Sequence, residues 1–206
     1  MKLIWHGQSC FTIEADNSTV VIDPYQDGTV PGHAALALTA DAVFCSHEHP
    51  DHNARNKVNL TGRTCAISVQ EINSFHDSKH GRMRGKNVIR IFSAEGMKVA
   101  HLGDLGCELE PGQKEQLLEL DAVLVPVGGF FTINAAQAKV LVDEINPRVV
   151  IPMHYRTPGR RFGLIGSVEK FLTQCDNVVR YGGNTLELTK DIPAQTAVLE
   201  IQGSKQ

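Results

Sequence analysis

Ser46-His47-Glu48-His49-Pro50-Asp51-His52-Asn53 is the stretch on which the reading of the whole chain turns. Four of its eight residues, His47, His49, Asp51 and His52, are good ligands for a borderline metal ion. The apolar run Ala42-Val43-Phe44-Cys45 leads into it and reads as a short buried strand. Pro50 disfavours helix at His49 and favours extended backbone there. On extended backbone, residues two apart point the same way, so His47 and His49 should share a face. Asp51 and His52 follow at a loop-to-helix boundary and point elsewhere. One segment can therefore offer two imidazoles to one metal, and a carboxylate plus an imidazole to a second. Surface loops do gather His and Asp by chance. Three His and one Asp within six residues, directly behind an apolar strand, fit chance poorly.

Working outward from this motif, 206 residues suit one domain spanning 1–206 with a sizeable core. A hydrophobic content of 42% with 21% charged residues is that of a soluble globular protein. The net charge of −3 gives no global field that would draw nucleic acid or an anionic membrane, so neither is expected as a partner. The N-terminus lacks the apolar run of a signal peptide, and no run approaches a membrane span. The five Cys are scattered and odd in number, without a C-x-x-C pair, which argues against a disulfide framework or a Cys-based zinc site. A reducing cytoplasm is the expected location.

Three short strands are expected at 2–6, 10–15 and 19–23, then a loop over 26–38 and the strand entering the motif. Further strands are expected at 64–69, 88–92, 97–102, 122–127, 148–152, 178–181 and 185–188. Helices are expected at 111–120, where Pro111 suits an N-terminal position, at 134–145 and at 167–174. The tail from about residue 191 reads as peripheral. Strands first, helices later, and apolar strands that need cover on both faces suggest a layered α/β or α+β sandwich.

A site for two metals needs more ligands, best placed at strand ends. His76 follows apolar Phe75 and opens a polar, Gly-punctuated loop through Asn87. Asp104 follows a strand, with Gly103 and Gly106 leaving room for close backbone approach. His154 ends the strand before it. The expected set is His47, His49 and His76 on one metal, Asp51, His52 and His154 on the other, and Asp104 bridging. His80 is an alternative to His76, or a proton donor. His6 reads as packing or support of a ligand, His101 as a core histidine or support, and His33 as a loop residue. Cys107 lies close in sequence to Asp104 and is a candidate for redox sensitivity. Arg82, Arg84, Lys86, Arg156, Arg160 and Arg161 cluster near the expected mouth, where Arg forks match a phosphate or carboxylate. The plainer reading is a solvated surface. No aromatics interleave with them, so a nucleic-acid track is not supported.

His47 to His52 matches the H-x-H-x-D-H signature of the metallo-β-lactamase superfamily, and the resemblance covers nearly the whole chain. Trp5-His6-Gly7-Gln8-Ser9-Cys10-Phe11, Ile22-Asp23-Pro24-Tyr25, Phe75-His76-Asp77 with Arg84-Gly85-Lys86-Asn87, His101 to Gly106, Pro126 to Ile133 and Ile151 to Tyr155 resemble motifs of one branch, in order. That branch of metal-dependent hydrolases includes L-ascorbate-6-phosphate lactonase. The resemblance implies an αββα sandwich, an α+β fold with the site at the sheet edges, and Asp23 as a support of ligands rather than a ligand. Relatives often carry His where this chain has Gln8. The long insertions of β-CASP nucleases are lacking, which weakens a nuclease assignment.

The expectation is a hydrolase with two divalent ions, zinc before manganese, and a hydroxide bridging them. Asp51 would hold this nucleophile and accept its proton, with Arg82, Arg84 or Arg160 binding a remote anion. The substrate would be a small molecule, a lactone or phosphoester that is phosphorylated or carboxylated, and the branch often forms homo-oligomers. The alternative is a mononuclear iron dioxygenase or other redox enzyme on the same fold. A diiron electron-transfer site would call for Glu as the motif's second ligand, where this chain has His49. A third reading is a non-enzymatic metal-binding or scaffold protein that has kept the fold; a degenerate member of that kind should have lost one or more ligands.

Overall fold

Alternation along the first strands sets up a sheet with two different faces. The computed structural model describes residues 1–157 and 163–201. Strands β1 (Lys2–Gly7), β2 (Cys10–Ala15) and β3 (Ser18–Ile22) form an antiparallel meander. Phe11, Ile13, Val20 and Ile22 point into the main core, while Cys10 and Val21 point into a smaller apolar cluster on the other side. The chain continues through β4 (Leu38–Ala40), β5 (Ala42–Phe44), a 3-10 turn over Arg55–Lys57, and β6 (Val58–Leu60). Strand β5 pairs in parallel with β3 at the edge of the first sheet. Its three residues are half-buried there, not buried as the apolar run suggested, because an edge strand has a neighbour on one side only. The β4–β6 ribbon and the 26–37 loop were not expected to pack. They do so through Val30, Leu36, Ala40 and Val58, and cover the face carrying Cys10 and Val21.

The second sheet is larger. It holds β7 (Ser68–Phe75), β8 (Lys86–Ala94), β9 (Met97–His101), β10 (Ala122–Pro126), β11 (Val149–Met153), β12 (Val178–Arg180) and β14 (Gln195–Val198), in the order β12-β14-β11-β10-β9-β8-β7. Strand β13 (Thr185–Glu187) crosses to pair with β1 and completes the first sheet. Every residue of β10 and β11 is buried, which requires cover on both faces. One face meets the first sheet; the other meets helix α2 (Ala135–Ile145), which buries Ala135, Ala138, Leu141 and Ile145. Asn134 caps α2, its side chain accepting from the N–H groups of Ala136 and Gln137, and Gln137 returns a bond to the Asn134 N–H. This is an α+β sandwich with two sheets face to face. Among the described residues no helix is long and apolar enough to cross a membrane.

Several boundaries differ from the sequence reading. The strand expected at 64–69 starts at Ser68 and runs to Phe75, so its end delivers His76 directly. Helix α1 (Pro111–Glu115) stops early because hydrogen bonding tightens to i−3 spacing at Leu117, and Glu119 turns left-handed. Helix α3 is reduced to Glu169–Leu172, flanked by turns. The tail from residue 191 is not peripheral up to Leu199. Strand β14 lies between β11 and β12, with Ala197 and Val198 buried.

Candidate metal centre

All seven ligand candidates leave the ends of β5, β7, β9 and β11. Between β5 and the 3-10 turn the chain does not stay extended. It bends through residues 46–51, and the His52 N–H closes a turn onto the His49 carbonyl at 2.9 Å. The convergence expected of His47 and His49 comes from these bends, which bring their ring centroids to 4.6 Å. His76 joins them, 4.6 Å from the His47 ring and 5.1 Å from that of His49.

Asp51, His52, Asp104 and His154 form a second group beside the first. In each group the ligand atoms lie within 4.8 Å of one another. Asp104 touches both. Its Oδ2 is 3.1 Å from His76 Nε2 and 3.2 Å from His154 Nε2, and its Oδ1 is 3.3 Å from His52 Nε2. Asp51 Oδ2 is 3.4 Å from His52 Nε2 and accepts a bond of the same length from Gln8 Nε2.

Hydrogen bonds behind these groups decide which ring nitrogens face inward. Asp23 is fully buried, accepts from the Ser46 N–H at 2.5 Å and from Ser46 Oγ at 2.6 Å, and lies 2.9 Å from His52 Nδ1. Ser46 Oγ in turn lies 3.0 Å from His47 Nδ1. With both Nδ1 atoms so engaged, the Nε2 atoms of His47 and His52 are buried and make no hydrogen bond. A buried imidazole nitrogen without a partner costs free energy unless something binds it. Two such atoms, facing carboxylates and further imidazoles, fit a divalent cation.

The charge pattern agrees. Burial pushes the His47 imidazole down to about 3, helped by His52, so the ring is neutral and its lone pair free. Burial would also depress His52, but Asp104, Asp23 and Asp51 outweigh it and push it well up: the carboxylates draw positive charge to this spot. Burial works against the Asp104 carboxylate, yet His154 and His52 hold it well below the usual range. Asp51 is likewise brought to about 2, His52 overcoming the burial.

The sequence reading did not give Asn87 a role. Its Oδ1 accepts the Asp104 N–H at 2.9 Å, and its Nδ2 donates to Ser74 Oγ and the Leu102 carbonyl. Gly103 is left-handed, and a Cβ there would meet Asn87 Oδ1 at 2.4 Å; a Cβ on Gly106 would meet the His76 carbonyl carbon at the same distance. Ser9 and Arg90 were also missed. Ser9 Oγ reaches Asp104 Oδ1 at 3.5 Å, and Arg90 Nη1 donates to the Cys45 carbonyl at the root of the motif. Asp77 supports its loop, its two oxygens accepting from the N–H groups of Lys79, Gly81, Met83 and Arg84.

The remaining candidates separate cleanly. His80 is exposed on the loop, its ring 5.5 Å from that of Phe75, and it belongs to neither ligand group. His101 is a satisfied core histidine, Nε2 donating to the Ser9 carbonyl and Nδ1 accepting from the Gly103 N–H. His6 packs against Thr12, and His33 lies in the 26–37 loop beside Tyr25. Cys107 lines a different groove, along α2, and burial raises its thiol pKa, which works against redox sensitivity. A cleft of about 350 Å³ opens onto both ligand groups, with Arg84, Thr29 and Phe131 on its walls. Arg82 is exposed on the loop and Arg156 exposed beyond β11; Arg160 and Arg161 lie outside the described residues.

Among known families, the one described as beta-lactamase superfamily domain matches residues 2–154, ending on the last ligand candidate. The chain belongs to the metallo-β-lactamase superfamily. A Thermotoga maritima structure assigned to the Zn-dependent hydrolases of this superfamily is 37% identical, with a TM-score of 0.79 over 98% of this chain and 99% of that one. A UPF0173 protein of Pyrococcus abyssi is 30% identical over 83% of this chain and 89% of its own. A UPF0173 metal-dependent hydrolase of Caldivirga maquilingensis is 28% identical over 75% and 82%. The activity class of this superfamily member is metal-dependent hydrolysis.

Proposed function

We propose that the chain hydrolyses a small molecule, a lactone or a phosphoester carrying an anionic group, with two divalent ions, zinc or manganese. His47, His49 and His76 would hold one ion, Asp51, His52 and His154 the other, and Asp104 would stand between them. The observation that carries this reading is the single buried carboxylate of Asp104 in reach of imidazoles from both groups. When bound, the ions would supply an activated water near neutral pH and polarise the substrate oxygen that gains charge.

The chain's own residues divide the remaining work. Asp51, ionised throughout the neutral range and half-open to the cleft, can hold a water by a hydrogen bond and accept its proton. Asp23 and Ser46 keep the His52 and His47 rings in the required tautomers. Arg84 is a cation on the cleft wall and, of the described Arg82 and Arg84, the one placed to meet an anion. The cleft volume suits a small molecule.

The test is elemental analysis of the purified protein together with a panel of bond types: a phosphodiester, a phosphorylated sugar lactone, a simple lactone and a thioester. Asp104→Ala should lower turnover by about 10³-fold or more, as expected for several kcal/mol of lost charge stabilisation. Full activity in that variant would remove the two-ion reading. Bound iron with oxygen uptake would favour the dioxygenase instead.

A further inference from the structure

A second cleft, of about 470 Å³, shares His49 and Arg84 with the first. His49 and Arg84 line both clefts; His47, Arg55, Lys86 and Arg90 line only the second. The charges in this second cleft are unevenly paired. Arg55 makes a two-pronged bond to Glu48, at 2.7 and 3.0 Å. Arg90 is held by Glu71 through Nε at 2.9 Å and Nη2 at 2.8 Å, and its guanidinium lies 5.3 Å from the centre of the Phe44 ring. Those two cations are neutralised and fixed.

Arg84 and Lys86 are different. Among the described residues neither side chain has a carboxylate partner. Arg84 is nevertheless held in place. Its guanidinium stacks 5.3 Å from the centre of Phe131, and its main-chain N–H is bound by Asp77 at 2.7 Å. A guanidinium stacked on a ring keeps its N–H donors free at its edge, and its fork matches phosphate or carboxylate. Gly85, at φ +90, separates Arg84 from Lys86, the first residue of β8. Two uncompensated charges two residues apart, on a cleft wall, match a group carrying about two negative charges, as a phosphate monoester does near neutral pH. A single carboxylate would neutralise only one.

We propose that this second cleft is the binding site for a phosphate group of the substrate, held by Arg84 and Lys86, with the bond to be broken in the first cleft, which shares His49 and Arg84 with it. Arg84 and Lys86 are then specificity-determining residues, and the substrate is a phosphate monoester whose reactive bond lies away from that phosphate. This placement rests on the metal cleft being the hydrolytic site.

The probe is inorganic phosphate titrated into the metal-loaded protein by calorimetry. Lys86→Met separates the two clefts, because Lys86 lines only the second. It should weaken phosphate binding by about tenfold, the worth of one charged hydrogen bond. Arg84→Met should do the same, and the double variant should lose more. Lys79→Met removes one positive charge from the same loop outside both clefts and should leave binding unchanged. Melting curves establish that each variant is folded. Phosphate affinity that is unaffected by Lys86→Met overturns the proposal, and so does equal weakening by Lys79→Met, which would mark a general field. Metal content and turnover are read separately. Two bound metals and turnover, with phosphate binding indifferent to Lys86, would remove only this subsite. Lys86-dependent phosphate binding without turnover would remove only the hydrolytic reading.

Discussion

The two ligand groups are built from similar side chains but are supported very differently. In the second group each ligand is tied from behind. Asp23 holds the His52 ring, Gln8 holds Asp51, Asn87 holds the Asp104 main chain, and the His154 N–H is bound to the Gln8 carbonyl at 3.2 Å. In the first group His47 is tied through Ser46, but no hydrogen bond among the described residues fixes the His49 ring, which is half-exposed at the mouth. The first group is also made of three imidazoles, whereas the second contains two carboxylates. Charge and pre-orientation both favour a divalent cation in the second group. On the proposed two-ion reading, the second group would hold its ion firmly and the first more exchangeably, with the polar network behind the ligands setting which is which.

The largest effect expected from outside the ligand set is that of Asp23→Ala. It removes the acceptor that orients His52 directly and His47 through Ser46, so both groups should weaken, by about 10- to 100-fold in metal affinity. Competition with a chelator, followed by metal analysis, measures this. Loss from one group alone would show that the Ser46 relay is idle. Next comes His49→Ala. It should leave one tightly held ion per chain and release the other at low chelator concentration. Equal loss of both ions would erase the contrast between the groups.

Asp77→Ala should act on the first group only, and less strongly. Four N–H groups of the loop following His76 lose their acceptor, and the loop that carries Arg84 loosens with them. The expected result is about tenfold weaker binding of the exchangeable ion, faster proteolytic cleavage between residues 77 and 85, and an unchanged second ion. Cleavage elsewhere in the chain, with the loop intact, would break the link between Asp77 and the first group.

Much of this contrast rests on features that differ in how well they can be read from sequence. The ligand candidates were legible because each follows an apolar strand, and a strand end is a short-range signal. The β7 boundary was misread, yet Phe75-His76 still marked where that strand hands over to the loop. The supports were less legible. Asn87 holds Asp104 from 17 residues away, and nothing local distinguishes it from any loop asparagine. The stacking of Arg84 on Phe131 joins segments almost fifty residues apart. Strand β14 has only four residues and follows Pro193; its place between β11 and β12 is a tertiary fact, set by the parallel strands that flank it. The β4–β6 ribbon was invisible for the same reason, since three-residue strands take their identity from the partner they meet.

The smallest expected effect comes from upstream of both groups. Asp41 precedes β5, the strand that leads into the motif. Its carboxylate accepts from Thr61 Oγ1, from the Thr19 N–H at 2.9 Å and from Arg63 Nε and Nη2 at 2.9 and 3.1 Å. The hydrogen bond from Thr61 is the largest of the causes that lower its pKa, followed by that from Thr19. A carboxyl whose folded pKa lies below its unfolded value of about 3.9 contributes stability that is fully present above that value. The contribution is lost as pH falls through the folded value, because the unfolded chain binds the proton more readily. Metal-free protein should therefore lose stability on acidification below about pH 4 more steeply with Asp41 than with Asp41→Asn. Urea unfolding midpoints across that range measure the slope. At neutral pH, Asp41→Asn should shift both metal affinities equally and slightly, because it moves the root of the strand and neither group alone. A selective loss of the exchangeable ion in Asp41→Asn would mean that β5 supports His47 and His49 more than Asp51 and His52, and that the weakness of the first group begins in the strand beneath it.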